Sequence, residues 1–180
     1  SSLYGDAWHI VSTSIYGTTL ILLYSASTLY HGIPHTKAKQ LLRRFDHAAI
    51  FLLIAGTYTP FTLVNLRGGW GWTLFGLVWC VAIGGMVLEL VSKKRDKRLS
   101  IGLYLGLGWL VLIAIKPMLA AVETGGLLLL LAGGLCYSLG VIFYAWKRLA
   151  YHHAVWHLFV LTGSALHFFS VLFYVVPAGH

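Results

Sequence analysis

Six stretches of this chain are apolar for about 20 residues, the length a helix needs to cross a bilayer. They cover residues 8–30, 48–66, 70–91, 99–117, 124–146 and 153–176. Only short loops separate them, so no soluble domain fits. A transmembrane β-barrel would instead show short segments of alternating polarity. Composition agrees: charged residues make up 10% of the chain, against about 25% in soluble domains, which excludes a water-soluble globule. With 58% hydrophobic residues the chain is also too apolar to stay disordered. No heptad run, low-complexity tract or internal repeat is visible. The reading is an all-α, polytopic membrane helix bundle, a single integral membrane domain over residues 1–180.

The formal net charge is +8. In a soluble protein that would raise nucleic acid as a partner; here its distribution points to membrane lipids and away from nucleic acid. Lys37, Lys39, Arg43 and Arg44 follow the first span, Lys93, Lys94, Arg95, Lys97 and Arg98 the third, and Lys147 and Arg148 the fifth. The opposite loops hold only Arg67 and Lys116. Positive-inside bias puts the three basic loops in the cytoplasm. Six spans then leave both chain ends outside, which is awkward without an upstream signal or helix. No basic n-region followed by a short apolar stretch opens the chain, and its first residue is Ser1. The charge pattern therefore predicts a preceding helix, seven spans in all, with the N-terminus inside and the C-terminus outside. Cys80 and Cys136 both lie in apolar spans and indicate no disulfide framework.

Ionisable groups in or near a span are functional candidates by default. Ser27 and His31 are four residues apart at the basic end of the first span, Asp46 opens the second, and His153 and His157 are four apart at the start of the sixth. Residues at i and i+4 share a helix face, so two imidazoles at that spacing can hold one metal ion. Three segments thus bring polar groups to one leaflet. Catalytic zinc takes three protein ligands and leaves a fourth position for water, whose pKa falls to about 7. His31, His153 and His157 would be the ligands. Asp46 would accept the water's proton or bridge to the metal through it, and Ser27 would orient a ligand or hydrogen-bond the substrate. A haem reading stands beside this one, since paired histidines on membrane helices also ligate haem iron.

Other groups carry less. His47 points about 100° away from Asp46 around a helix and reads as a packing or interface residue. His167, about 15 Å deeper than His157, is a buried hydrogen-bonding group or part of a polar path. His9, His35, His152 and His180 read as loop or end residues. Glu89 can pair with Lys93 one turn on, or reach the headgroups. Gly56-Thr57-Tyr58-Thr59-Pro60-Phe61 interrupts the second span, where Pro60 should kink the helix and hydroxyls satisfy the freed backbone groups. Gly84-Gly85 and Gly133-Gly134 suit close helix packing.

Ser27-Thr28-Leu29-Tyr30-His31, Phe45-Asp46-His47, the run 53–61 and His153-Ala154-Val155-Trp156-His157 together resemble the hemolysin III family. That family belongs to the progestin and adipoQ receptor superfamily, which includes the adiponectin receptors. The resemblance covers the chain from the first span onward. It implies a seven-helix fold whose first helix is absent here, in the cytoplasmic membrane of a bacterium. It also implies zinc held by His31, His153 and His157 with Asp46 and Ser27 beside the metal. Ceramidase-like hydrolases of the superfamily suggest cleavage of a lipid amide or ester, and bacterial members are linked to membrane-lipid homeostasis. A receptor-like membrane sensor with structural zinc, and a haemolysin-type cytolytic protein, are the alternatives. The chain has no soluble domain or amphipathic insertion hairpin of a secreted toxin.

Overall fold

The structure, a computed structural model, describes residues 7–92 and 97–177. Lys93, Lys94, Arg95 and His180 lie outside the described residues, as do residues 1–6 and the side chain of Lys37. The described residues form helices and no strands. They run α1 (Ala7–Gly32), α2 (Thr36–Pro60), a wider π-helical turn (Phe61–Asn65), α3 (Gly69–Val91), α4 (Lys97–Gly108), a tight 3₁₀ stretch (Leu110–Ala114), α5 (Ile115–Ala121), α6 (Thr124–Ala145) and α7 (His152–Tyr174). Among the described residues six helices are long and apolar enough to cross a membrane, with α4, the 3₁₀ stretch and α5 together making the fourth. The chain is a multi-pass membrane protein.

The second span is the central one. Its apolar window is 78% buried, whereas no other span exceeds 28%. Small residues allow this: Ala48, Ala49 and Ala55 are buried on it, and α1 and α3 pack on either side. α1 answers with a face of His9, Ser12, Tyr16, Thr19 and Leu23, whose spacing of three and four is one stripe of a helix. The helices around α2 present apolar residues such as Ile21 of α1, Val91 of α3 and Leu158 of α7 outward, as a lipid-facing surface requires. α6 and α7 form a second closely packed pair.

Three boundaries differ from the sequence reading. α2 begins at Thr36, well before residue 48, so Lys39, Arg43 and Arg44 ride on its first turns instead of lying in a loop. The apolar run marks where hydrocarbon begins, not where hydrogen bonding stops. His35 caps this extension, its Nδ1 accepting from Ala38 N at 3.4 Å. Arg44 Nη1 donates to Leu90 O at 2.9 Å, and Lys39 Nζ lies 5.6 Å from the centre of the Tyr30 ring. Likewise Lys97 and Arg98 belong to the first turn of α4.

The second difference is at Pro60. The helix runs through the 56–61 motif and widens to a π turn immediately after Pro60. Proline cannot donate to the carbonyl four residues back, so the winding changes there, and Leu66 N bonds Phe61 O five residues back at 2.9 Å. The hydroxyls reinforce neighbouring carbonyls, not that of Gly56: Thr57 donates to Leu53 O, Thr59 to Ala55 O, and Thr62 to Tyr58 O and Thr59 O.

The third difference is in the fourth span, which is broken between Gly108 and Leu110. Pro117 sits in the first turn of α5, where a missing N–H is harmless. Its ring disfavours a regular helix upstream. Tyr58 of α2 holds the break: its hydroxyl approaches Leu107 O at 3.0 Å and Gly108 O at 2.8 Å, and accepts from Val111 N at 2.9 Å.

Glu89 is buried, and its Oε2 accepts from Ser100 Oγ at 2.9 Å across α3 and α4, so the carboxylate turns into the bundle and not toward the headgroups, while the pairing with Lys93 lies outside the described residues. Of the paired glycines, one in each pair makes the close approach. A Cβ on Gly85 would collide with the Phe51 ring and one on Gly133 with the His167 ring, while Gly84 faces open space.

Candidate functional site

The last turn of α1 carries His31, and Ser27 lies one turn earlier. The first turns of α7 carry His153 and His157. α7 is entered through Tyr151, whose φ of 58° and ψ of 19° place it in the left-handed region. A bulky residue there stores local strain, and the helix that starts from it aims both histidines at α1.

The three imidazoles converge on one point. Nε2 of His153 is 3.4 Å from that of His31, Nε2 of His157 is 3.2 Å from that of His31, and the two α7 nitrogens are 3.1 Å apart. Protons alone cannot satisfy this triangle. A ring nitrogen either carries a hydrogen or presents a lone pair, so among three mutual neighbours at least two are alike and face each other unfavourably. A cation at the centre would accept all three lone pairs. Zinc–nitrogen bonds of about 2.0–2.1 Å in a tetrahedron set ligand nitrogens about 3.3 Å apart, close to what is seen. The residues fit zinc. A haem needs its axial nitrogens on opposite faces of a macrocycle, and these nitrogens share one side. Trp156 packs 5.3 Å from the His153 ring and 4.6 Å from the His157 ring, while His31 is exposed and the other two are half-buried.

The centre opens on a cavity of about 490 Å³, within the usual range for small-molecule sites. Ser27, Asp46 and His157 border it at the basic end, and Met118 and Thr124 at the opposite end. Its wall is largely apolar. Asp46 is buried on α2, with Oδ2 3.8 Å from His47 Nδ1. Asp46 and Ser27 thus share a cavity with His157, while the convergence of ring nitrogens involves the histidines alone.

The other histidines divide. His47 is buried, and its Nδ1–H donates to Arg43 O at 2.6 Å, a packing role. His167 Nε2–H donates to Leu130 O at 3.1 Å from within the notch left by Gly133, so it is a buried hydrogen-bonding group that also borders the cavity. His9 is not an end residue: it is 2% exposed on the buried face of α1. His35 caps α2, and His152 opens α7. The cysteines are free. Sequence reading missed Tyr24, Tyr137 and Ser164, whose hydroxyls are hydrogen-bonded together across α1, α6 and α7. Their spacing was a usable signal, since Tyr24 and Ser164 each lie seven residues from a clustered histidine.

Comparison with known proteins adds the family. The model described as "Haemolysin-III related" matches residues 1–168. The "Hemolysin-3 homolog" of Bacillus subtilis (strain 168) is 53% identical over 173 residues, which cover 96% of this chain and 81% of the relative. "Hemolysin-3" of Bacillus cereus is 49% identical, covering 98% and 81%. More distantly, the "Monocyte to macrophage differentiation factor" of Homo sapiens is 28% identical, covering 94% and 73%. With six membrane-crossing helices among its described residues and this match along nearly its whole length, the chain belongs to the hemolysin III family of integral membrane proteins.

Proposed function

We propose that this chain binds zinc through His31, His153 and His157 and hydrolyses an amide or ester bond of a membrane lipid, with an effect on membrane-lipid homeostasis. The observation that carries the reading is the convergence of three Nε2 atoms at 3.1–3.4 Å, at one end of an apolar cavity bordered by Asp46 and Ser27. When bound, zinc supplies a Lewis acid that lowers the pKa of a neighbouring water to about 7 and polarises a carbonyl. Asp46 takes up and returns the proton within the cavity. Ser27 hydrogen-bonds the polar part of the substrate one turn below His31. The apolar wall holds the chain and keeps bulk water from it. The basic ends of the helices face the cytoplasm of a bacterial cell, the C-terminus lies outside, and the histidine centre sits at the cytoplasmic leaflet.

The test is incubation of the purified protein with membrane lipid extract, followed by mass spectrometry of released fatty acids. Wild type should release them, while His157→Ala and Asp46→Asn, each checked for an unchanged helical spectrum, should not. A folded wild type that carries zinc and cleaves nothing sinks the hydrolase. A second reading is favoured by the position of the centre, which joins the end of α1 to the start of α7: a non-enzymatic sensor in which zinc sets helix packing. It predicts loss of stability on zinc removal with no turnover at any stage. Leakage from liposomes at low protein-to-lipid ratio, independent of zinc, would instead support a cytolytic role.

A further inference from the structure

Tyr24 lies seven residues before His31 on α1, and Ser164 lies seven residues after His157 on α7. Seven residues are two helical turns, about 10 Å of rise. The helices run in opposite directions, so both steps descend from the histidine centre to one depth. There the side chains meet: the Tyr24 hydroxyl donates to Ser164 Oγ at 2.8 Å. Tyr137 of α6 reaches the same oxygen, also at 2.8 Å. Gly163 makes room, since a Cβ there would press on the Tyr137 ring.

These three hydroxyls carry three protons, and two hydrogen bonds join them. One O–H is therefore left over, on Ser164 or on Tyr137 according to which of the two donates. Tyr24 and Tyr137 both border the cavity, beside apolar residues such as Leu131 and Val160. A polar group buried in such surroundings costs free energy unless a partner is supplied. Among the described residues, the Tyr16 hydroxyl and His167 Nδ1 are further buried polar atoms without a hydrogen-bond partner. Tyr16 is two turns before Tyr24 on α1, and the His167 ring lies 5.4 Å from that of Tyr137.

We propose that Tyr24, Tyr137 and Ser164 form a second polar site in the cavity, two turns below the histidines, which takes a hydroxyl group borne partway along a lipid chain. A hydroxyl accepts the spare proton and returns one to a phenol oxygen. A methylene at that depth does neither, and a site built to hydrogen-bond a hydroxyl rejects the analogue lacking it. Water has the same chemistry and is the competing occupant. The inference rests on reading the cavity as the seat of a lipid chain whose head lies at the histidines.

The probes are stearate and a stearate hydroxylated near the middle of its chain. Each is titrated into detergent-purified protein and followed by the fluorescence of Trp109 and Trp156, which border the cavity. Wild type should bind the hydroxylated chain at least tenfold more tightly. The Tyr137→Phe/Ser164→Ala double variant should bind stearate as well as wild type does and lose the preference. Tyr24→Phe, nearly unchanged in size, should lose it too and serves if the double variant fails to fold. Equal affinity of wild type for both chains overturns the second site and assigns the hydroxyls to water, while the lipid-chain reading survives. Binding of neither chain by folded wild type overturns both.

Discussion

A triangle of ring nitrogens with no satisfied arrangement of protons has a measurable consequence at the level of single residues. His157→Ala leaves two ligands, and two imidazoles do not make a tetrahedral site. Bound zinc should fall from about one per chain to near zero on elemental analysis, with Ser27→Ala retaining it. Equal zinc in His157→Ala and wild type would move the metal elsewhere. His31, His153 and His157 were legible before any fold, because an ionisable group in a span is costly enough to stand out and i, i+4 spacing fixes a face. Tyr24 and Ser164 offered only their spacing of seven from a clustered histidine and Tyr137 offered nothing, because neutral hydroxyls are ordinary in membrane helices and the pairing of distant helices is what brings the three together. His9 misled because it stands near the start of the chain, although its spacing to Ser12 and Tyr16 already marks the buried face of α1.

Elements carry a second set of predictions. Gly85 admits the Phe51 ring, and Phe51 is 1% exposed with little freedom to yield, whereas Gly84 faces open space. Gly85→Ala should cost about 1–3 kcal/mol through overpacking. Gly84→Ala should be neutral or gain a few tenths of a kcal/mol up to about 1 from helix propensity. Thermal unfolding of the two variants side by side decides it. Tyr58→Phe should cost about 1–3 kcal/mol, because it strips the acceptor from Val111 N, and the Val111 amide should exchange hydrogen faster. The six spans themselves could be read from hydropathy because the bilayer sets their length. Their ends and breaks could not. α2 continues through Lys39 and Arg43 because long basic side chains can carry their charge away from the helix without disturbing its backbone bonds. The break after Gly108 depends on a phenol from another helix, forty-nine residues away along the chain from Leu107.

For the molecule as a whole, zinc that binds only the folded state should stabilise it, by about 2.7 kcal/mol at a free concentration one hundred times its dissociation constant. Chelation should therefore lower the melting temperature, and amides in the last turn of α1 and first turn of α7 should lose protection first. No change in either would mean that the histidines hold nothing. Sidedness is tested with single cysteines in a background lacking Cys80 and Cys136. Lys39→Cys should react with an impermeant reagent only from the cytoplasmic side and Arg67→Cys only from outside; the reverse pattern inverts the topology. One wall of the cavity is the interrupted fourth span, whose backbone runs on through the break but loses its regular α-helical winding there. A body that swells the cavity presses on that wall. The push does not run straight down one regular helix, because the winding changes at Trp109. Part of it passes sideways through the Tyr58 phenol into the most enclosed helix of the bundle, beside the Trp109 bond to Ser138 of α6, so Tyr58 acts as the pin of a joint and α2 shares the strain that an occupant creates.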